Sequence, residues 1–136
     1  MSSRRIFQLV LVLLGLFVVV TGTLDLLLGP AVVLGSVDVP VNVDSQYRYF
    51  GGLWLALGLV LLGAARQPER GHTALRVVYL AVFVGGVGRL ASLLAAGTPH
   101  PLYVAFIGVE FVLPPLLLLW QNRVARPTLD GAGRPR

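Results

Sequence analysis

The sequence contains no cysteine and no lysine, and only 12% of its 136 residues are charged. Without cysteine the chain can form no disulfide, no thiolate metal site and no thiol nucleophile. Charged residues make up about a quarter of an ordinary soluble domain, so this composition argues against that class of protein. The hydrophobic content of 56% and the mean hydropathy of +0.81 favour a membrane protein instead.

Four long apolar stretches divide the chain. Each approaches the roughly 20 residues that cross the core of a bilayer as an α-helix. We therefore predict an all-α fold, an integral membrane four-helix bundle, with residues 1–121 as the four-span domain and 122–136 as a basic, disordered cytoplasmic tail. The predicted spans are Ile6 to Leu28, Tyr49 to Ala65, Val77 to Ala96, and Leu102 to Trp120.

The net charge of +5 comes from arginine alone, and the arginines alternate between connections. Except for Arg48 and Arg89, they lie before the first span, between the second and third, and after the fourth. The other two connections carry Asp38, Asp44 and the short segment GTPHP, with Arg48 as their one base, at the edge of the second span. By the positive-inside rule this pattern predicts a multi-pass membrane protein with both termini cytoplasmic. A nucleic-acid partner is not indicated, because the arginines lie beside apolar runs and form no basic face of a folded domain.

The connection between the first two spans alternates valine with polar residues from Val37 to Asp44. A period of two favours an extended segment with one apolar face, which would form either a lid across the outer end of the bundle or an ordinary linker. We expect Asp44 or Ser45 to cap the helix that follows.

Four ionisable residues lie inside or at the edge of the predicted spans: Asp25, Arg48, Arg89 and Glu110. Charges at such positions are costly and usually mark contacts in the interior of a bundle. Counted at about 1.5 Å per residue, all four fall in the outer half of the membrane. Because two are acids and two are bases, we predict one cluster in which the guanidinium groups neutralise the carboxylates.

Small residues share helix faces with these charges, which indicates that the charged faces contact other helices. In the first span Gln8, Gly15, Gly22 and Gly29 recur every seven residues and form a single packing seam. Three aromatic side chains lie close enough in sequence to border a pocket beside the charges. The predicted pocket lining comprises Phe50, Gly51, Gly52, Trp54, Gly85, Ser92 and Phe106.

This cluster is compatible with several functions. It could be an ion-pair network that only fixes helix register, or a polar site that recognises a lipid-like amphiphile or a membrane partner. It could instead serve a small proton-coupled transporter, a homodimer in which Glu110 carries the proton. A fourth possibility is a structural subunit of a larger complex, in which the glycine seam faces another protein.

Nothing in the sequence assembles into a catalytic site. We find no nucleophile with a base beside it and a third side chain to orient that base, so we expect no enzymatic activity. His72 and His100 are predicted on opposite sides of the membrane, where they cannot share a metal or haem. We accordingly expect neither a metal nor a cofactor, and the expected partners are membrane lipids.

Three motifs carry a resemblance to a known family: YRYFGGLWLALGL from Tyr47, GGVGRLASLLAAGTP from Gly85, and GVEFVLPPLLLL from Gly108. In these the chain resembles the small four-span bacterial membrane proteins catalogued as domain of unknown function 4345. The resemblance implies four helices in a bacterial inner membrane and no assigned activity. The positions that match the family's polar and glycine pattern are Arg48, Gly51, Gly52, Arg89 and Glu110.

Overall fold

The computed structural model describes residues 3–35 and 38–125, and these ranges contain helices and no strand. The all-α prediction is confirmed. The four long helices are each long and apolar enough to cross a membrane, as a multi-pass membrane protein requires. The elements are α1 (Ser3–Leu28), a short 3-10 helix (Gly29–Val32), α2 (Val41–Ala65), α3 (His72–Ala96) and α4 (Pro101–Ala125).

Helix α2 begins at Val41, well before the predicted Tyr49. The prediction of an extended segment is therefore wrong from Val41 onward, and Ser36 and Val37 lie outside the described residues. The helix starts early because Pro40 is the N-cap of α2. The carbonyl of Pro40 accepts hydrogen bonds from the amides of Val43 at 2.9 Å and Asp44 at 3.1 Å. Capping by Asp44 or Ser45 is wrong for the same reason.

Helix α4 extends to Ala125, beyond the predicted domain boundary at residue 121. The remainder of the predicted tail, residues 126–136, lies outside the described residues. Pro114 and Pro115 lie inside α4, which continues through them. Because proline has no N–H group, Pro114 leaves the carbonyl of Glu110 without its usual helical donor.

The glycine seam of α1 packs against α2 of the same chain. A Cβ atom built on Gly22 would lie 2.5 Å from the backbone nitrogen of Leu55, and one on Gly51 would lie 2.7 Å from the Cβ of Asp25. Only glycine allows backbones to approach this closely. The seam is thus covered within the chain, which contradicts the hypothesis that it faces another protein.

The four helices converge at the end of the bundle where the two described chain ends meet the α2–α3 turn, which we call the terminal end. There the rings of Phe7 and Trp120 lie 5.4 Å apart. The indole N–H of Trp120 donates to Ser3 Oγ at 3.0 Å, and Gln121 Nε2 donates to the carbonyl of His72 at 3.2 Å. The largest fully buried side chains all lie toward this end: Phe7, Leu11, Pro68, Leu75 and Gln121.

At the opposite end, which we call the distal end, residues 29–40 connect α1 to α2 and residues 97–100 connect α3 to α4. Few side chains are buried here, and a cavity separates the α1/α2 pair from the α3/α4 pair. Across the gap the backbone N–H of Leu34 donates to the hydroxyl of Tyr103 at 3.0 Å. The bundle is therefore packed at one end and hollow at the other.

Replacing Gly22 with alanine tests the close packing of α1 on α2. We expect Gly22→Ala to lower the free energy of unfolding by about 1–3 kcal/mol, because the new methyl group meets backbone atoms that cannot rotate away. Gly63→Ala is the matched control, since nothing lies within 4 Å of its added Cβ. Thermal unfolding in detergent, followed by circular dichroism, compares the two variants. Equal midpoints would show that α1 and α2 do not pack as described.

Candidate functional site

A cavity of about 550 Å³ lies between the two helix pairs, and all four helices contribute to its walls. Toward the terminal end the walls are mainly apolar and include Leu61, Val78, Val82, Leu113 and Leu117. Toward the distal end apolar residues are joined by polar side chains, which are Asp25, Tyr47, Arg89, Tyr103 and Glu110. The cavity therefore joins an apolar compartment to a charged one along the axis of the bundle.

The cavity opens sideways between α1 and α4. Phe17 and Leu24 on α1, and Leu102 and Val109 on α4, line the cavity and are themselves 43–51% exposed. By contrast, Leu61 on the opposite wall is 4% exposed. In a bilayer, an opening between two spanning helices faces the acyl chains.

Arg89 of α3 and Glu110 of α4 form an ion pair at the polar end of the cavity. The Nε of Arg89 donates to Oε1 of Glu110 at 2.9 Å, and only 15% of the Glu110 side chain is exposed. Gly86 makes room for this acid, because a Cβ at that position would lie 2.9 Å from the Cβ of Glu110. The guanidinium carbon also lies 5.9 Å from the ring centroid of Tyr103 and 6.0 Å from that of Phe106, within the range of cation–π attraction.

Arg48 has a different role from the one the sequence predicts. Its Nε and Nη2 donate to the two carboxylate oxygens of Asp44 at 2.8 and 3.2 Å, and its Nη1 donates to the carbonyls of Leu26 and Leu27 at 3.1 and 2.6 Å. These carbonyls belong to the last turn of α1, where the helix dipole favours a positive charge. Arg48 therefore holds the end of α1 against the start of α2, and it does not line the cavity.

The predicted single cluster of four charges is thus wrong in one respect: Arg48 pairs with Asp44 of its own helix and not with Asp25. The early start of α2 at Val41 explains the difference, because it places Asp44 one helical turn before Arg48 on the same face. Gly29, at φ +64°, leaves space for both groups, since a Cβ there would lie 2.7 Å from Asp44 Oδ1.

Asp25 lines the cavity without a cationic partner among the described residues. Its Oδ1 accepts a hydrogen bond from the hydroxyl of Tyr47 at 3.0 Å. The structure therefore brings Asp25, Arg89 and Glu110 to one cavity and separates Arg48 from them. Only one of the two acids in that cavity has its charge neutralised by a neighbouring base.

The predicted pocket lining divides in the same way. Trp54 and Phe106 line the cavity, and the indole N–H of Trp54 donates to Thr21 Oγ1 at 2.9 Å. Gly51 instead packs behind Asp25. The other predicted positions do not line it; of these, Phe50, Gly85 and Ser92 are exposed and Gly52 is partly exposed.

Sequence reasoning missed two tyrosines that border the polar end. Tyr47 and Tyr103 fall at span ends, where an interfacial role is the usual explanation. Helical spacing does carry a signal, because Tyr103 lies seven residues before Glu110 and Tyr47 lies seven residues before Trp54. Residues seven apart share a helix face, so each tyrosine points the same way as a lining residue.

The cavity combines a long apolar wall with a small number of polar groups. Among the described residues no three metal-ligating side chains come together. The cavity has an apolar surface along most of its length, and hydrogen-bonding and charged groups lie at one end. Such a combination fixes the orientation of a molecule that is itself apolar at one end and polar at the other.

Comparison with known proteins gives a family and no activity. No curated protein and no solved structure matches this chain. The family model described as "Domain of unknown function (DUF4345)" matches residues 6–121, a stretch that contains every residue lining the cavity. On that match the chain belongs to the DUF4345 family.

Proposed function

We propose that this protein is an integral membrane binding or accessory protein that holds a lipid-like amphiphile in the cavity between its helix pairs. The apolar part of the ligand packs among Leu61, Val78 and Leu117, and its polar head lies beside Asp25 and Arg89. The observation that carries the proposal is that one cavity contains both an apolar wall and a charged end.

The cavity is large enough to hold part of one amphiphile. Its volume of about 550 Å³ falls in the range of roughly 300–1,000 Å³ that small-molecule sites occupy. From Asp25 to Leu14 on α1 the lining extends over about 16 Å, counted at 1.5 Å per helical residue. The opening between α1 and α4 allows the remainder of a longer molecule to stay in the bilayer.

We further propose that the terminal end faces the cytoplasm of a bacterial cell and that the membrane is the inner membrane. Arginines at positions 4, 5, 66, 70, 76 and 123 all belong to the terminal end, whereas the distal end carries Asp38 and the Arg48–Asp44 pair. The positive-inside rule favours this orientation. The charged end of the cavity then lies in the outer leaflet, and a bound lipid keeps the orientation that it has in that leaflet.

Single cysteines test the orientation, because the chain contains none of its own. We expect a membrane-impermeant maleimide to label Thr98→Cys in intact cells, since Thr98 is exposed in the α3–α4 connection. Gln67→Cys, exposed in the α2–α3 turn, should react only after the cells are opened. The reverse pattern of labelling would show that the terminal end faces outward.

A bulkier side chain in the cavity tests the binding function. We expect Val82→Phe to weaken binding of a fluorescent single-chain amphiphile at least roughly tenfold, since Val82 lines the apolar part of the cavity and a tenfold loss corresponds to about 1.4 kcal/mol. Val84→Phe is the matched control, because Val84 is 57% exposed and does not line the cavity. Fluorescence titration of the protein in nanodiscs measures both.

A second variant separates blocked binding from damaged folding. Val109→Trp narrows the opening at a half-exposed position, so it should reduce binding without adding volume to the packed terminal end. Unfolding midpoints of all three variants show whether each is folded. Wild-type affinity in both Val82→Phe and Val109→Trp would overturn the proposed function.

A further inference from the structure

We infer that the amphiphile bound in this cavity carries an ammonium group, and that Asp25 is the counter-ion that holds it. The inference rests on the proposed function and adds the chemical class of the head group. An amine in the head group of a lipid and a free cationic amphiphile share this chemistry.

The balance of charge at the polar end is the first argument. Two carboxylates and one guanidinium line the cavity, so the formal charge is two negative and one positive, or one negative in total. The Arg89–Glu110 contact of 2.9 Å accounts for one charge of each sign. Asp25 is left with the phenol of Tyr47, a neutral donor. A charge inside a membrane usually has a partner of opposite sign, and a ligand with a positive charge would supply one.

The neighbouring arginine cannot take this place without losing its own contacts. Arg48 makes two hydrogen bonds to Asp44 and two to the last carbonyls of α1. Arg89 contacts Glu110 through its Nε and forms no ion pair with Asp25. No basic side chain among the described residues forms an ion pair with Asp25, and a cationic ligand would supply that charge.

Aromatic side chains provide the second argument. Tyr47, Trp54, Tyr103 and Phe106 all line the same cavity as Asp25. Rings of this kind attract ammonium groups through their π faces, and the attraction is larger where water is excluded. Tyr103 and Phe106 already flank the guanidinium of Arg89. Tyr47 and Trp54 lie on α2, the helix packed against Asp25, and Trp54 bonds to Thr21 one turn below that acid.

Arg89 distinguishes the two sources of an ammonium group. Its Nη groups donate no hydrogen bond within the described residues, and 45% of its side chain is exposed. A phospholipid with an ammonium head group also has phosphate oxygens that accept hydrogen bonds from the Nη groups, whereas a simple cationic amphiphile has no phosphate. A preference for the zwitterionic head that depends on Arg89 therefore identifies a bilayer lipid.

A series of amphiphiles with one tail and different heads tests the inference. Trimethylammonium, phosphocholine, maltoside and sulfate compounds compete with the fluorescent amphiphile in nanodiscs. We expect the two compounds with an ammonium group to displace it at a concentration at least roughly tenfold lower than the sulfate, equivalent to about 1.4 kcal/mol. Asp25→Asn should remove this preference while it keeps an oxygen that can accept from Tyr47.

Asp38→Asn is the matched control, because it removes an exposed distal acid that does not line the cavity and should leave the preference unchanged. Arg89→Lys keeps the positive charge but loses the planar guanidinium that can donate two hydrogen bonds to a phosphate. If the ligand is a phospholipid, this variant should weaken competition by phosphocholine and leave the other three compounds unchanged. If the trimethylammonium compound displaces the probe at the lowest concentration, and Arg89→Lys alters none of the four concentrations, the ligand is a free cationic amphiphile. The inference still holds in that case.

The outcomes separate the inference from the proposed function. If all four heads compete equally, the ammonium group is ruled out, and if the preference survives in Asp25→Asn, Asp25 is ruled out as its counter-ion. In either case the inference fails while amphiphile binding stands. If a preference for ammonium heads disappears in Asp38→Asn as well, it reflects general surface charge and the inference fails. If none of the compounds displaces the probe, or the probe does not bind to the wild-type protein, both proposals fall.

Discussion

Glycine determines how closely two helices of this bundle can approach, and the rest of the structure depends on that approach. At Gly22 and Gly51 the backbones of α1 and α2 are so close that a methyl group has no space. The two helices consequently behave as one unit, which holds Asp25 next to Tyr47. Gly86 has the same effect on α3 and α4, where it leaves space for Glu110 and so permits the ion pair with Arg89.

The two units join at the terminal end through an aromatic contact and a hydrogen bond. The rings of Phe7 and Trp120 are in contact, and the indole N–H of Trp120 donates to Ser3 Oγ on α1. At the distal end the link between the units is a hydrogen bond between Leu34 and Tyr103, so a space remains between them. Each helix pair packs through its own glycine contacts, and these contacts do not require the two pairs to touch at the distal end. The cavity is therefore a consequence of pairwise packing, and its charged end comes from residues that each pair places there.

The spans could be predicted from the sequence because length and apolarity alone decide whether a helix can cross a bilayer. The partner of Arg48 could not be predicted, because it depends on α2 starting at Val41. In that stretch valine alternates with polar residues, a pattern that also suits an extended chain. Neighbouring glycines are equally ambiguous: Gly86 packs on Glu110, whereas nothing lies within 4 Å of a Cβ at Gly85. A one-residue step turns a helix face by about 100°, so the choice between them requires the packing itself.

The central claim is that the helix pairs enclose an amphiphilic site that is open to the bilayer between α1 and α4. A structure determined in native lipid tests it most directly. Our account predicts elongated non-protein density between these helices, with its polar end within hydrogen-bonding distance of the Asp25 carboxylate. Contact between α1 and α4 along their whole length, with no space between Asp25 and Arg89, would contradict it.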